Sequence, residues 1–277
     1  MSLTCEQLTV GVNGRVLVRD LNLSAEPGAF ICILGPNGVG KTLTLHTLAG
    51  IRDIESGCVR LHGEDLRTID RRTIAQRLGL LLQAHDDAFP ITVLEAAMMG
   101  RHPHLGFWEW ETEEDLAVAT RALDAMDLGN LTGRLTSTLS GGERRRLAIA
   151  TLLVQEPDVL LLDEPMNHLD PWHKLQVLDR LSALADDRKT VIASLHDPVL
   201  AARYARQILL LFGDESGGDE SGGNESGGDE NGADKNGGAW EFGPASEMLS
   251  AERLERLYGT PFAAFSRDGQ TVLLPQL

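Results

Sequence analysis

Residues Gly35 to Thr42 read GPNGVGKT, which fits G-x-x-x-x-G-K-[ST] between an apolar strand-like run and a helical one. Residues of these types in this order do one kind of chemistry: they hold a polyphosphate. Gly35, Gly38 and Gly40 let the chain curl until its backbone amides surround a β-phosphate. Lys41 brings a point charge to the β- and γ-phosphates, and Thr42 offers a hydroxyl to Mg²⁺. Pro36, Asn37 and Val39 complete the loop, and Thr44 joins them as a candidate cofactor-binding residue.

A second group of candidates stands at strand ends. VLLLDEP, Val159 to Pro165, closes an apolar run with two adjacent carboxylates. In a parallel sheet ligands collect at the carboxyl ends of strands. Asp163 there can hold Mg²⁺ through water, while Glu164 can polarise an attacking water. TVIASLHD ends another run in His196, within reach of a γ-phosphate, and LGLLLQ ends in Gln83, whose carboxamide can meet metal or water. LSGGERRRLAIA, Leu139 to Ala150, is different. Ser140 and Glu143 have the spacing of a capping box, Gly141 and Gly142 leave room for close approach, and a helix start attracts anions. The chain thus carries two phosphate devices far apart in sequence.

The elements that must position these residues alternate. AFICILG, LGLLLQ, DVLLLDEP, TVIASLHD and RQILLLF are strand-length apolar runs joined through helical or turn-rich sequence, so the fold class is α/β with a mainly parallel sheet. KTLTLHTLAG reads as a helix closed by Gly50. The N-terminal EQLTVGVNGRVLVRDLNLSAEPG alternates and is punctuated by turns, which predicts an antiparallel β subdomain. Helical signals dominate residues 92–156, with capping boxes at Thr92/Glu95 and Thr112/Asp115, as in a helical subdomain inserted into the core. Residues 214–238 repeat Gly, Ser, Asp and Glu with eight acids and one lysine, a composition with little to bury. They read as a disordered linker between a core of residues 1–213 and a C-terminal segment, 239–277, that completes the domain.

The order of these motifs resembles the nucleotide-binding subunits of ATP-binding cassette (ABC) transporters. The glycine-rich loop, Gln83, LSGGE, LLLDEP, NHLD (Asn167 to Asp170) and His196 follow that family's order over about residues 3–275, the acidic insertion excepted. The resemblance implies a P-loop NTPase core, ATP and Mg²⁺ as cofactors, and a head-to-tail homodimer. In it, the SGGE helix end of one subunit contacts the γ-phosphate held by the other, so each device is half of a site. Asp170 would communicate across that dimer. Further implied partners are two membrane-spanning permease subunits and an extracytoplasmic substrate-binding protein, with this chain peripheral on the cytoplasmic face. GRHPHLG within Ile91 to Trp110, and the C-terminal LERLYGTPFAAF, resemble more narrowly the ATPases of iron–siderophore, haem and vitamin B12 importers. Two positions depart from the family. Val12 stands where an aromatic side chain stacks on adenine, and Met166 replaces a threonine after Glu164-Pro165.

Composition bounds the rest. A formal charge of −16 argues against an electrostatic grip on nucleic acid. No apolar run reaches membrane-spanning length, and MSLTCEQLTV lacks the basic start and apolar stretch of a signal peptide. Cys5, Cys32 and Cys58 lack metal-ligand spacing and read as buried free thiols. His102 and His104 are too few for a metal site, so a structural or partner-contact role is expected. Phe107, Trp108 and Trp110 are core by default, with a surface toward a membrane subunit as the other reading. The competing functions are a non-transport ABC ATPase of DNA repair or the ribosome, and a non-catalytic nucleotide-binding regulator, with an ABC importer of another substrate class as a third. Long coiled-coil arms and a second cassette are missing for the first, and intact Lys41, Asp163, Glu164 and His196 oppose the second.

Overall fold

The computed structural model describes residues 2–82, 90–106, 108–213, 238–267 and 270–276. The expectations for Gln83, Phe107 and acidic residues 214–237 lie outside the described residues.

Strands buried on both faces organise the centre. Strands β3 (Phe30–Leu34), β6 (Leu78–Leu81), β7 (Val159–Leu162), β8 (Thr190–Ser194) and β9 (Gln207–Leu211) run parallel in the order β9-β3-β8-β7-β6. Strand β10 (Trp240–Pro244) joins antiparallel at the β9 edge, where Trp240 faces Leu211. Successive side chains point to opposite faces of a strand, so a sheet covered on both sides needs continuous apolar runs. Phe30, Cys32 and Leu34 accordingly join one core cluster, and Ile31 and Ile33 the other. The second cluster also takes in α1 (Lys41–Leu48) and the N-terminal sheet.

That sheet is antiparallel throughout, in the order β2-β1-β4-β5, from β1 (Leu3–Val12), β2 (Arg15–Ala25), β4 (Ser56–Leu61) and β5 (Glu64–Asp65). Asn13 and Gly14 turn β1 into β2 with φ of 52° and 80°, left-handed values that Asn-Gly pairs tolerate in two-residue hairpins. Helix α2 (Arg71–Arg77) then leads into β6.

Three helices follow between β6 and β7: α3 (Val93–Met98), α4 (Glu113–Ala125) and α5 (Gly141–Val154). Each begins with the reciprocal bonds that its sequence announces, at Thr92/Glu95, Thr112/Asp115 and Ser140/Glu143. Their apolar faces close the first core cluster with α6 (Pro171–Asp186), α7 (Pro198–Tyr204) and α9 (Ala251–Tyr258). A short helix α8 (Ala245–Met248) precedes α9, and a hairpin of β11 (Phe262–Arg267) and β12 (Gln270–Pro275) ends the described chain. Among the described residues no helix is long and apolar enough to cross a membrane.

Two expectations are corrected. Trp108 and Trp110 are 87 % and 85 % exposed, so neither is core; they sit just ahead of the polar cap of α4, outside its apolar face. Cys5 and Cys32 are buried free thiols, but Cys58 is half-buried on a strand whose neighbours alternate toward solvent.

Candidate active site

Four neighbouring parallel strands deliver their carboxyl ends to one crevice: β3 with the glycine-rich loop, β8 with His196, β7 with the acid pair, and β6 with Leu82 ahead of Gln83. The loop is shaped for close approach. Gly38 and Gly40 have φ of 80° and 110°, and a side chain on Gly40 would meet Leu17 at 3.1 Å. Lys41 is 5 % exposed and donates to the carbonyls of Gly35 at 2.7 Å and Pro36 at 3.0 Å. Burial lowers its pKa, while the charges of Glu164 and Asp163 act in the opposite direction. The ammonium is thereby stored beside the space a phosphate would fill. Thr42 is half-buried at the first turn, whereas Thr44 is fully buried and its hydroxyl has no hydrogen-bond partner.

Asp163 is fully buried. Its Oδ1 accepts from Ser194 Oγ at 2.8 Å, and its Oδ2 is buried without a hydrogen-bond partner. An orphaned carboxylate oxygen is costly inside a protein. Together with the Thr42 hydroxyl it forms the hard oxygen set that suits Mg²⁺, so these residues fit the ion. Glu164 follows with φ of 48°, a left-handed backbone that turns its carboxylate away from the strand. Oε1 lies 2.7 Å from Nε2 of His196, and Oε2 accepts from the Asn167 amide. Ser194 Oγ also accepts from the Glu164 amide at 2.8 Å, so one hydroxyl ties both acids to β8.

The second candidate anion device lies at the start of α5. Glu143 N donates to Ser140 Oγ at 3.3 Å and Ser140 N to Glu143 Oε2 at 2.7 Å. Ser140 and Gly141 are exposed, facing outward from this chain. Asp170 caps α6 through His173, whose amide and Nδ1 lie 3.0 Å and 2.6 Å from its carboxylate. Met166 is buried in the core beside the acid turn.

Arg15, Leu17, Pro36, Asn37, Gly38, Val39, Phe212 and Gly213 line a groove against the glycine-rich loop. Val12 is absent from it; the residue lies at the end of β1, with Arg15 as its cross-strand partner. The GRHPHLG turn is pinned from within. Arg72 donates to the carbonyls of Pro103 at 2.9 Å and Leu105 at 2.7 Å, and His104 Nε2 lies 2.9 Å from the Gln155 carbonyl. Among the described residues no cluster of three or more His, Cys, Asp or Glu could hold a metal.

The sequence motifs gave no role to Ser194 or Arg145, and named Asn167 only as the first residue of NHLD. A hydroxyl closing the otherwise apolar TVIAS strand was one available signal. The other was an arginine four residues before Ile149 and seven before Leu152, on the core face of α5.

A glycine-rich phosphate loop with a strand-end acid pair, on a parallel sheet ordered β9-β3-β8-β7-β6, defines a P-loop nucleotide hydrolase. Residues 18–167 match the family model described as ABC transporter, and the chain belongs to that family. Its members bind ATP, and this chain is an ATPase. It is 40 % identical over 230 residues to the hemin import ATP-binding protein HmuV of Burkholderia ambifaria, covering 76 % of this chain and 84 % of that one. It is 35 % identical over 256 residues to the ferric enterobactin transport ATP-binding protein FepC of Escherichia coli, covering 92 % and 86 %. Among solved structures it resembles a chain of a metal-chelate type ABC transporter in an inward-facing conformation. The TM-score is 0.79 at 25 % identity, with 100 % of this chain and 98 % of that one covered.

Proposed function

We propose that this chain is the ATP-hydrolysing subunit of an importer for metal chelates of the iron–siderophore, haem or cobalamin kind. The observation that carries the reading is its likeness, over nearly the whole of both chains, to an enterobactin transport subunit. Two copies pair head to tail. Gly35, Pro36, Asn37, Gly38, Val39, Gly40, Lys41, Thr42 and Thr44 hold the nucleotide in one copy, and Ser140, Gly141, Gly142 and Glu143 of the other cover its γ-phosphate. The pair works on two permease subunits at the cytoplasmic face, with an extracytoplasmic substrate-binding protein delivering the chelate.

In each composite site Lys41 swings from the Gly35 and Pro36 carbonyls to the β- and γ-phosphates. Thr42, Asp163 and Gln83 would hold Mg²⁺, Asp163 through water, and the ion when bound neutralises phosphate charge. Glu164 accepts a proton from water as that water's oxygen bonds to the γ-phosphorus. The bond from the γ-phosphorus to the bridging oxygen breaks, and ADP and phosphate leave. His196 and Asn167 hold the carboxylate from its two sides, and His196 reaches the γ-phosphate.

Glu164→Gln keeps the shape and removes the base. Steady-state hydrolysis is expected to fall by about 10²-fold or more with ATP binding retained, and near-normal turnover would rule out the assignment. Chelate uptake by cells relying on this variant separates the importer reading from the chemistry. Undiminished uptake of siderophore-bound iron, haem and cobalamin alike would sink it.

A further inference from the structure

Arg145 is a cation inside the core, 6 % exposed on α5. Its guanidinium donates to the carbonyls of Leu82 at 2.7 Å, Glu164 at 2.9 Å and Pro165 at 3.4 Å, and also to that of Asp163. These acceptors belong to two segments: the end of β6 directly before Gln83, and the turn that carries both acids. The donor belongs to a third, the helix that begins at Ser140. One side chain therefore joins three segments at the crevice: the end of β6, the acid turn after β7, and α5.

We propose that Arg145 is a positioning residue for ATP hydrolysis, making the placement of the Glu164 carboxylate depend on where α5 stands. The proposal rests on the reading of Glu164 as the base. Glu164 has a left-handed backbone, a conformation that a non-glycine residue keeps only when its surroundings hold it. The turn closes on itself, with Asn167 N donating to the Glu164 carbonyl at 3.2 Å, and two side chains from other elements also bond its backbone. Ser194 takes the Glu164 amide at 2.8 Å, and Arg145 supplies a donor to its carbonyl. The first contact ties the turn to the sheet, and the second ties it to the helix whose exposed end meets the partner's nucleotide. A shift of α5 on nucleotide closure is thus passed to the base through a rigid fork.

Side-chain chemistry favours this over a filler role. A buried charge is disfavoured, so a position needing only volume would hold leucine. Burial does press the Arg145 pKa down, with Asp163 and Glu164 acting in the opposite direction. Only guanidinium presents five donors in a planar array able to meet carbonyls on separate segments; lysine offers one point, and glutamine two donors.

The test uses the full chain with Arg145→Lys and Arg145→Gln. Both are expected to bind ATP within about twofold of wild type with unchanged KM, while kcat falls by about tenfold or more through misplacement of the base. In the Glu164→Gln background, adding Arg145→Lys should change the residual rate by less than about twofold, since the group it positions is already gone. A folded Arg145→Lys with wild-type kcat overturns the proposal, as does the same proportional loss in both backgrounds. Glu164→Gln with near-normal turnover instead overturns the base reading on which it stands. Amide exchange on the wild type needs no variant. ATP should protect residues 163–167 and the first turn of α5 together, and protection of one without the other counts against the link.

Discussion

The two helix ends proposed to meet phosphate, at α1 and α5, are built in opposite ways. Helix α1 starts after a left-handed Gly40 with no side-chain cap, so its first amides are left for a ligand. Helix α5 starts with a complete capping box, so the Ser140 and Glu143 amides are already satisfied within the chain. Helices α3 and α4 carry the same box with no phosphate chemistry nearby in sequence, which makes the box a stabilising device and not a sign of anion binding. The distinguishing feature of α5 is its glycine pair, and the two glycines differ. A side chain on Gly142 would press the His168 carbonyl at 3.1 Å, whereas one on Gly141 would make only ordinary contact with His168. Packing within the chain explains Gly142. Packing within the chain gives no such reason for Gly141.

The largest effect should come from breaking each end separately. Lys41→Ala removes the stored charge, and Ser140→Arg crowds the exposed start of α5; each homodimer is expected to lose nearly all hydrolysis. Mixing the two variants should restore part of the activity, because one of the two composite sites in a mixed dimer then contains neither defect. No recovery at any ratio, with mixed dimers shown to form, would refute the shared site.

A smaller effect separates capping from catalysis. Asp115 accepts from the Thr112 amide at 2.9 Å and hydroxyl at 2.8 Å and pairs with Arg101 at 2.7 Å. The bonds from Thr112 and then Arg101 hold its pKa at about 2, below the ordinary 3.8. A depressed carboxyl pKa adds stability that is fully present above the unfolded value and is lost as pH falls through the folded one. Asp115→Ala should therefore lose about 1–3 kcal/mol at neutral pH, with the gap from wild type closing between about pH 4 and pH 2. Its turnover should stay near wild type. Glu143→Ala removes the same box from α5 and should lose stability and turnover together. Denaturation and ATPase assays on both variants check this, and equal losses of turnover would erase the distinction between the helix ends.

What was legible in the sequence was whatever local spacing encodes. The glycine-rich loop, the three capping boxes and the strand-end acids each lie within a few residues, where backbone geometry decides which groups meet. Contacts made by the fold were hidden. Ser194 meets Asp163 only because β8 lies beside β7, and Arg145 meets Leu82 only because α5 packs over the end of β6. For adenine, spacing along the chain marks Val12, and the hairpin register sets Arg15 across from it, lining the groove.

That pair sharpens the α1 side of the comparison. A guanidinium can stack on a base, so Arg15→Ala should weaken ATP binding, and Val12→Tyr should tighten it by supplying a ring one strand away. Each change is bounded by the roughly 1–3 kcal/mol of base stacking on a side chain. The double variant should fall between the two. Equal ATP affinities in all four proteins, measured by titration, would place the base elsewhere.

The smallest effect concerns the acidic stretch. The described residues at its two ends lie close to the glycine-rich loop or to each other. Phe212 N donates to the Ala239 carbonyl at 3.0 Å, continuing the β9–β10 pairing, and Gly213 lines the groove beside the glycine-rich loop. Residues 214–237 thus connect two strands of one hairpin, and a short turn can replace them without moving either strand. The replacement should leave kcat unchanged. It also removes eight acids and one lysine from the segment that follows Gly213, which lines the groove against the glycine-rich loop. ATP should then bind slightly more tightly at low ionic strength, by a few-fold at most, and the gain should vanish near 1 M salt, where the screening length is about 3 Å. Affinities across a salt series, with and without the stretch, test both halves. A fall in kcat would show a part in the chemistry, and a gain that persisted at high salt would show a direct contact in place of a distant charge.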